Sequence, residues 1–385
     1  MSKIIALSIA AALLAPFASA EVTISGSVRT AMEYLSPDQV GVKVGSKNDG
    51  DNKTQLADQS SRIRVSGVDK LDIGGDLVWV LESRFRVGDP YNKEAASVWG
   101  SRDTYIGYKG DYGFARFGKM DNAYKNLYKN ISPTIEGEMN DTSGYLGDGQ
   151  LLRRLGARSG SVIYYETPNF NGFNAHASYT LSPQVENSKP ASCALNSKGA
   201  IVCTPAVAST GNVNTDVYQI GGFYKNDMFN VGAAYSMGKN QNSDFNSSKI
   251  APAVKDGASV SGYMVGGNVK YMDFGLGLTW EQVIRDDGKQ SRSQDSYAIA
   301  GSYKYDKLNF LVSYVQAADV QTLNDSGADQ ISVAASYNLS KRSKVYATYS
   351  KVNNDKNANF TTESGYVLNN GQSADLFSVG VRTDF

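Results

Sequence analysis

The 385 residues carry 38 Lys+Arg against 38 Asp+Glu, with Gly 38, Tyr 24, Phe 14, Pro 9, Cys 2 and His 1. A formal charge of zero excludes a strongly basic nucleic-acid binder and an acidic disordered tail, so no nucleic-acid partner is expected. One His and two Cys cannot build a His-rich or tetrathiolate metal centre, and neither metal nor cofactor is expected.

The chain opens MSKIIALSIAAALLAPFASA: Lys3, an apolar stretch from Ile4 to Leu14, Pro16, and the small-residue end Ala18-Ser19-Ala20. This pattern predicts a cleaved secretory signal peptide over residues 1–20, with 21–385 as the mature chain. The apolar stretch is shorter than the ~18 residues a membrane-spanning helix needs. Its loss removes Lys3 and leaves 37 basic against 38 acidic side chains. After Ala20 the most concentrated apolar segment is only Leu77–Leu81. An exported chain of this kind is either soluble or inserted as strands, because only helices and closed barrels satisfy every backbone polar group in lipid.

From residue 22 the hydrophobic period is two. Phe173, Ala175, Ala177 and Tyr179 share one face, against Asn174, His176, Ser178 and Thr180. The alternation recurs in Phe229–Ser236, in Phe274–Glu281 and in Ile331–Ser340. Rings stand near the ends of the apolar rows, as in Phe229 with Tyr235 and Phe274 with Trp280, which fits two interfacial girdles around an apolar band about 25 Å tall. Sixteen segments are predicted as strands: 22–34, 60–69, 76–87, 99–108, 113–119, 157–167, 173–181, 215–225, 228–238, 258–271, 273–284, 294–305, 307–317, 329–340, 342–352 and 374–385. Their connections alternate between long and short, the rhythm of an all-β, antiparallel up-and-down transmembrane barrel rather than a Greek-key sandwich. The prolines after residue 20 are all expected in connections, since proline has no N–H for a ladder.

Taken along the chain, the polar face carries Arg29 in the first segment, Arg62 and Arg64 in the second, Arg84 and Arg86 in the third, and then Arg102 and Arg116, with Tyr105 and Phe117 on the opposite face. In a barrel these seven belong inside, because a lipid-facing charge near mid-membrane costs about 2–4 kcal/mol. The third long connection, 121–156, is glycine-rich and carries Glu136, Glu138, Asp141 and Asp148. His176 and Ser178, two residues apart on the polar face, are the strongest hydrolase candidates, in the manner of an outer-membrane phospholipase. Their face points into the lumen, however, so no catalytic residue is assigned and the chain is not expected to be an enzyme. Cys193 and Cys203, with nine residues between them, stand within one loop of an exported chain, a candidate disulfide.

Several motifs carry a family resemblance in this order: VTISGSVRTAMEY (22–34), SRIRVSG (61–67), SRDTYIGYKGDYG (101–113) with FARFGK (114–119), YYETPNFNGF (164–173) and the ending FSVGVRTDF (377–385). Together they resemble the general porins, the trimeric sixteen-stranded outer-membrane channels of Gram-negative bacteria, in the branch with neisserial members. The resemblance implies a homotrimer in the outer membrane, among phospholipid and lipopolysaccharide, passing small hydrophilic solutes and ions by passive diffusion. It implies that the third extracellular loop folds into the lumen, where its acidic residues would face the arginine wall across an eyelet. It also implies that Phe385 is the signal read by the barrel-assembly machinery. A substrate-specific channel or an adhesin on the same barrel remains the alternative. Slight anion selectivity is the expected preference.

Overall fold

The computed structural model describes residues 21–38, 51–88, 99–131, 151–181, 215–241, 254–360 and 368–385, with four short backbone segments between 185 and 213. Strands dominate because the sequence period is two, and the sheet they make is closed. The first eight barrel strands are β1 (Glu21–Pro37), β2 (Lys53–Asp58 and Arg62–Lys70), β3 (Asp76–Arg84), β4 (Thr104–Gly110), β5 (Gly113–Asp121), β6 (Arg158–Glu166), β7 (Phe173–Thr180) and β8 (Val217–Lys225). The second eight are β9 (Phe229–Gln241), β10 (Val254–Tyr271), β11 (Phe274–Asp286), β12 (Ser291–Tyr305), β13 (Leu308–Ala317), β14 (Ala328–Asn338), β15 (Ser343–Asn354) and β16 (Ala374–Asp384). Each pairs antiparallel with its neighbours, and β1 closes the ring on β16 from Ser27↔Asp384 to Pro37↔Ala374.

All sixteen predicted strands are present, with three local departures. β2 starts earlier, at Lys53, and is broken at Gln59–Ser61, where Ser60 has φ 66° and the Asp58 carboxylate accepts the N–H groups of Ser60 and Ser61. β3 stops at Arg84 and β4 begins only at Thr104, so Arg86 and Arg102 lie beyond the regular strands, although the Arg102 N–H still donates to the Glu82 carbonyl oxygen at 3.0 Å. Tyr105 accordingly turns inward beside Arg116 rather than outward as its spacing from Arg102 suggested. Pro37, expected in a connection, is the last residue of β1; it lies beyond Leu35↔Lys53, so no bond to β2 is lost.

The distribution of polarity is the reverse of that in a water-soluble globule. Leu276, Leu278, Ile331, Val333, Phe377 and Val379 are exposed on the outer face, whereas Ser27, Arg29, Glu33, Glu281, Gln330 and Ser332 are buried inside. Tight connections join the strands at one end, as at Met272-Asp273 and at Asn171-Gly172, where both residues have positive φ (53° and 97°) and glycine fits without strain.

One helix is present among the described residues, α1 (Ala123–Ile131), and a β-bulge delivers it. The register slips between Gly118 and Met120, and Gly118 takes φ +142°, where a Cβ would stand 2.4 Å from the Thr104 carbonyl oxygen. The slip turns Asp121 and Asn122 inward. Asn122 then caps the helix, its Oδ1 accepting the Lys125 N–H at 2.9 Å. Tyr124, Leu127, Tyr128 and Ile131 are buried on one stripe of α1, which packs against β7, β8, β9 and β10. Gly221 and Gly232 allow that approach: a Cβ there would lie 3.2 Å from Leu127 and 3.0 Å from Ile131.

Candidate pore constriction

The inward face of β1–β3 presents arginines interleaved with carboxylates. Arg62 stands directly opposite Arg84, and Arg64 opposite Glu82, so two neighbouring rows each bring a guanidinium to the lumen. Like charges this close need counter-charges, and the fold supplies them. Glu82 accepts from Arg64 Nε at 2.8 Å and from Arg102 Nε on its other oxygen. Asp58, pinned by the break in β2, holds Arg84 Nε at 3.1 Å. Arg64, Arg84 and Arg102 are therefore oriented as well as charged.

The limbs of the third connection add a second set of cations. Asp121, at the end of β5, gathers Lys125 at 3.1 Å, Lys129 and Arg158 at 3.1 Å. Arg158 also reaches Asp103 at 2.6 Å, which ties the return limb to the chain leaving the β3–β4 loop. Burial, with Arg153, Arg158 and Lys129 nearby, outweighs the Asp121 carboxylate and brings the Lys125 ammonium down to a pKa of about 8. Between the wall and these limbs lies a cavity of about 800 Å³ lined by ten cationic side chains and four carboxylates, Glu82, Asp103, Asp121 and Asp384.

On the far side α1 is clamped. Glu281, wholly buried on β11, accepts from Tyr124 Oη at 2.9 Å and from the Arg154 backbone N–H at 3.0 Å. Arg154 donates in turn to Gln294 and to Ser296 Oγ at 3.2 Å on β12. Ala123 N–H donates to Ser178 Oγ, and Gln219 Nε2 to the Leu155 carbonyl oxygen. Both limbs of the connection are thus bonded to inward-facing side chains of β7, β8, β11 and β12.

Of the seven arginines singled out in the sequence, Arg29, Arg62, Arg64, Arg84 and Arg102 line this cavity. Arg116 faces inward but elsewhere: its guanidinium lies 4.1 Å from the Tyr164 ring centroid, 4.8 Å from that of Phe114, and pairs with Glu166 at 3.0 Å. Arg86, past the end of β3, is not among the lining residues. Glu136, Glu138, Asp141 and Asp148 lie outside the described residues. The same connection and the start of β6 bring Lys125, Lys129, Arg153 and Arg158 to the cavity; alternation could not reveal the first three, which belong to a helix and to irregular chain. Glu82 and Glu281 were legible as acids on inward rows.

His176 and Ser178 are occupied structurally. Ser178 Oγ accepts from Ala123 and donates to Gln219, while His176 Nδ1 shares a 2.7 Å hydrogen bond with Tyr164 and its ring stacks on Phe223. The backbone pairs Cys193 directly with Cys203 across two short antiparallel segments. Phe385 extends the outward row of Phe377, Val379 and Val381, and exchanges two backbone hydrogen bonds with Gly26.

Comparison with known proteins gives a consistent set of likenesses. A sequence model described as Gram-negative porin matches residues 6–357. The chain is 26% identical over 317 residues to the major outer membrane protein P.IA of Neisseria meningitidis serogroup C, covering 76% of each. It superimposes on the anion-selective porin from Comamonas acidovorans with a TM-score of 0.69 at 20% identity, covering 95% of this chain and all of that one. It also matches the trimer form of OmpT from Vibrio cholerae, TM-score 0.62 at 18% identity, over 95% of this chain and 99% of that chain.

Proposed function

The chain belongs to the Gram-negative porin family and forms an outer-membrane channel for passive diffusion, and on that premise we propose that it favours small hydrophilic anions, selected between the β1–β3 wall and the α1 connection. The observation that carries this reading is the excess of cations around the cavity, ten against four carboxylates among its described lining. A charge fixed about 10 Å from a passing ion shifts its energy by about 0.4 kcal/mol even in bulk water, and several act together here. The porin from Comamonas acidovorans, which is anion-selective, agrees in sign.

In this reading the third connection narrows the lumen, and its acidic residues, Glu136, Glu138, Asp141 and Asp148, moderate the preference. Residues 1–20 are removed on export, Phe385 is read by the assembly machinery, and the mature chains assemble as a homotrimer among outer-membrane lipid and lipopolysaccharide, as the OmpT trimer form supports. No step requires bond-making chemistry, and the family consists of channels. Reversal potentials across a planar bilayer in a potassium chloride gradient test the selectivity: chloride is expected to permeate more readily, and a marked cation preference would refute the reading.

A further inference from the structure

Five neighbouring strands change character along their inward faces. β1 runs Ser27, Arg29, Ala31, Glu33 and then Leu35; β15 runs Thr348, Ser350 and then Val352; β16 runs Arg382, Gly380, Ser378 and then Leu376 and Ala374. β13 passes from Ser313 to Val315 and Ala317, and β14 from Ser332 and Gln330 to Ala328. In each case the lumen wall turns apolar at the end that meets the long connections. An apolar wall facing a water column is unfavourable unless something covers it.

The cover comes from the described limbs of the connection between β15 and β16, 355–360 and 368–373. Ala358, Phe360 and Leu368 are nearly fully buried and join Leu35, Val352 and Leu376 in one apolar cluster. Polar bonds fix the same limbs. Asn354 Nδ2 donates to the Phe360 and Gln372 carbonyl oxygens, both at 2.8 Å, and Asn354 Oδ1 accepts the Phe360 N–H at 2.8 Å. Gln372 Nε2 donates to the Asp38 carbonyl oxygen at 2.6 Å at the end of β1, and Asn357 Nδ2 to that of Asn324 at 2.9 Å in the β13–β14 connection. The cluster continues through Val315 and Ala298 to Leu151, Leu152 and the buried stripe of α1.

We propose that the described limbs of this last connection, 355–360 and 368–373, form a fixed roof over one side of the outer lumen and act in series with α1 as a second determinant of solute size. The roof covers the β13–β16 and β1 side, and the cavity it leaves open runs along the basic wall. Entering solutes are confined to a path beside the arginines, so the roof sharpens both size limit and charge contact. The charge consequence rests on the anion-selective reading; the size consequence does not.

The test is the double variant Phe360→Asp with Leu368→Asp, which undocks both limbs while leaving the basic wall unchanged. Single-channel conductance and the swelling of liposomes in a monosaccharide, a disaccharide and a trisaccharide are compared with the original chain. Conductance is expected to rise by at least about 1.5-fold, and trisaccharide entry relative to monosaccharide entry by about threefold, because pore cross-section governs both. A folded double variant with unchanged conductance and sugar ratios would overturn the roof. If that variant does not fold, Leu368→Cys in a background with Cys193→Ser and Cys203→Ser keeps the question decidable. Slow reaction with a membrane-impermeant thiol reagent supports the roof, and reaction as fast as at an exposed loop position overturns it. Failure of the anion reading would show instead in the reversal potential of the original chain.

Discussion

Arg62, Arg84 and Arg102 project into one cavity, and their partners make them suitable for separate neutralisation. Removing the Arg84 charge leaves Asp58 still accepting the Ser60 and Ser61 N–H groups, and removing that of Arg102 leaves Glu82 bonded to Arg64. Each substitution to Gln is expected to lower the chloride-to-potassium permeability ratio by about fourfold, because one unit charge at about 10 Å in water shifts chloride and potassium by about 0.4 kcal/mol each in opposite directions, while the fold persists. Three unchanged reversal potentials would exclude the wall as the source of selectivity. Lys125 gives the preference a pH dependence. Its ammonium is charged below about pH 8 and neutral above, so anion preference is expected to fall as pH rises from 7 to 9.5. Lys125→Arg, charged throughout, should abolish that fall; a fall of equal size in the variant would assign it to another group. At Cys193 and Cys203, facing positions of an antiparallel pair place the Cα atoms within disulfide range. Denatured protein should take up no maleimide before reduction and two equivalents after it.

At the level of elements, the account turns on how α1 is held. Asn122→Ala removes the cap and is expected to cost about 1 kcal/mol of local stability. Glu281→Leu is expected to cost more, about 3–5 kcal/mol, because Arg154 and the Tyr124 hydroxyl lose their shared buried acceptor. Protease cleavage within the third connection should accelerate in both, most in Glu281→Leu, and equal rates in both variants and the original chain would show that the clamp does not hold the helix. The strands were legible because a half-apolar strand writes its two faces into every second residue, as Ile331–Ser340 does. The helix was less so: Tyr124, Leu127, Tyr128 and Ile131 do carry helical spacing, but one nine-residue stretch inside a connection is a faint signal beside charge and glycine content. The break at Gln59–Ser61 and the slip at Gly118 leave no pattern in side-chain polarity, since both arise from backbone geometry. Five of the seven arginines reach the cavity. Arg86 does not because β3 ends at Arg84, and Arg116 does not because neighbouring rings capture its guanidinium.

Over the whole molecule, one arrangement supports the rest: the apolar rows of sixteen strands face outward and the polar rows enclose the lumen, where α1 and the described limbs of the last connection are packed. A charge moved to the middle of the outer face would cost about 2–4 kcal/mol in a bilayer, whereas the same charge inside is already tolerated at Arg29, Glu82 and Glu281. The most direct measurement is a nitroxide scan of residues 331–335 on β14 in lipid vesicles. Labels at Ile331, Val333 and Ala335 should collide readily with dissolved oxygen and rarely with a water-soluble nickel chelate, and labels at Ser332 and Ala334 should do the reverse. An alternation of opposite phase, or none, would contradict the account.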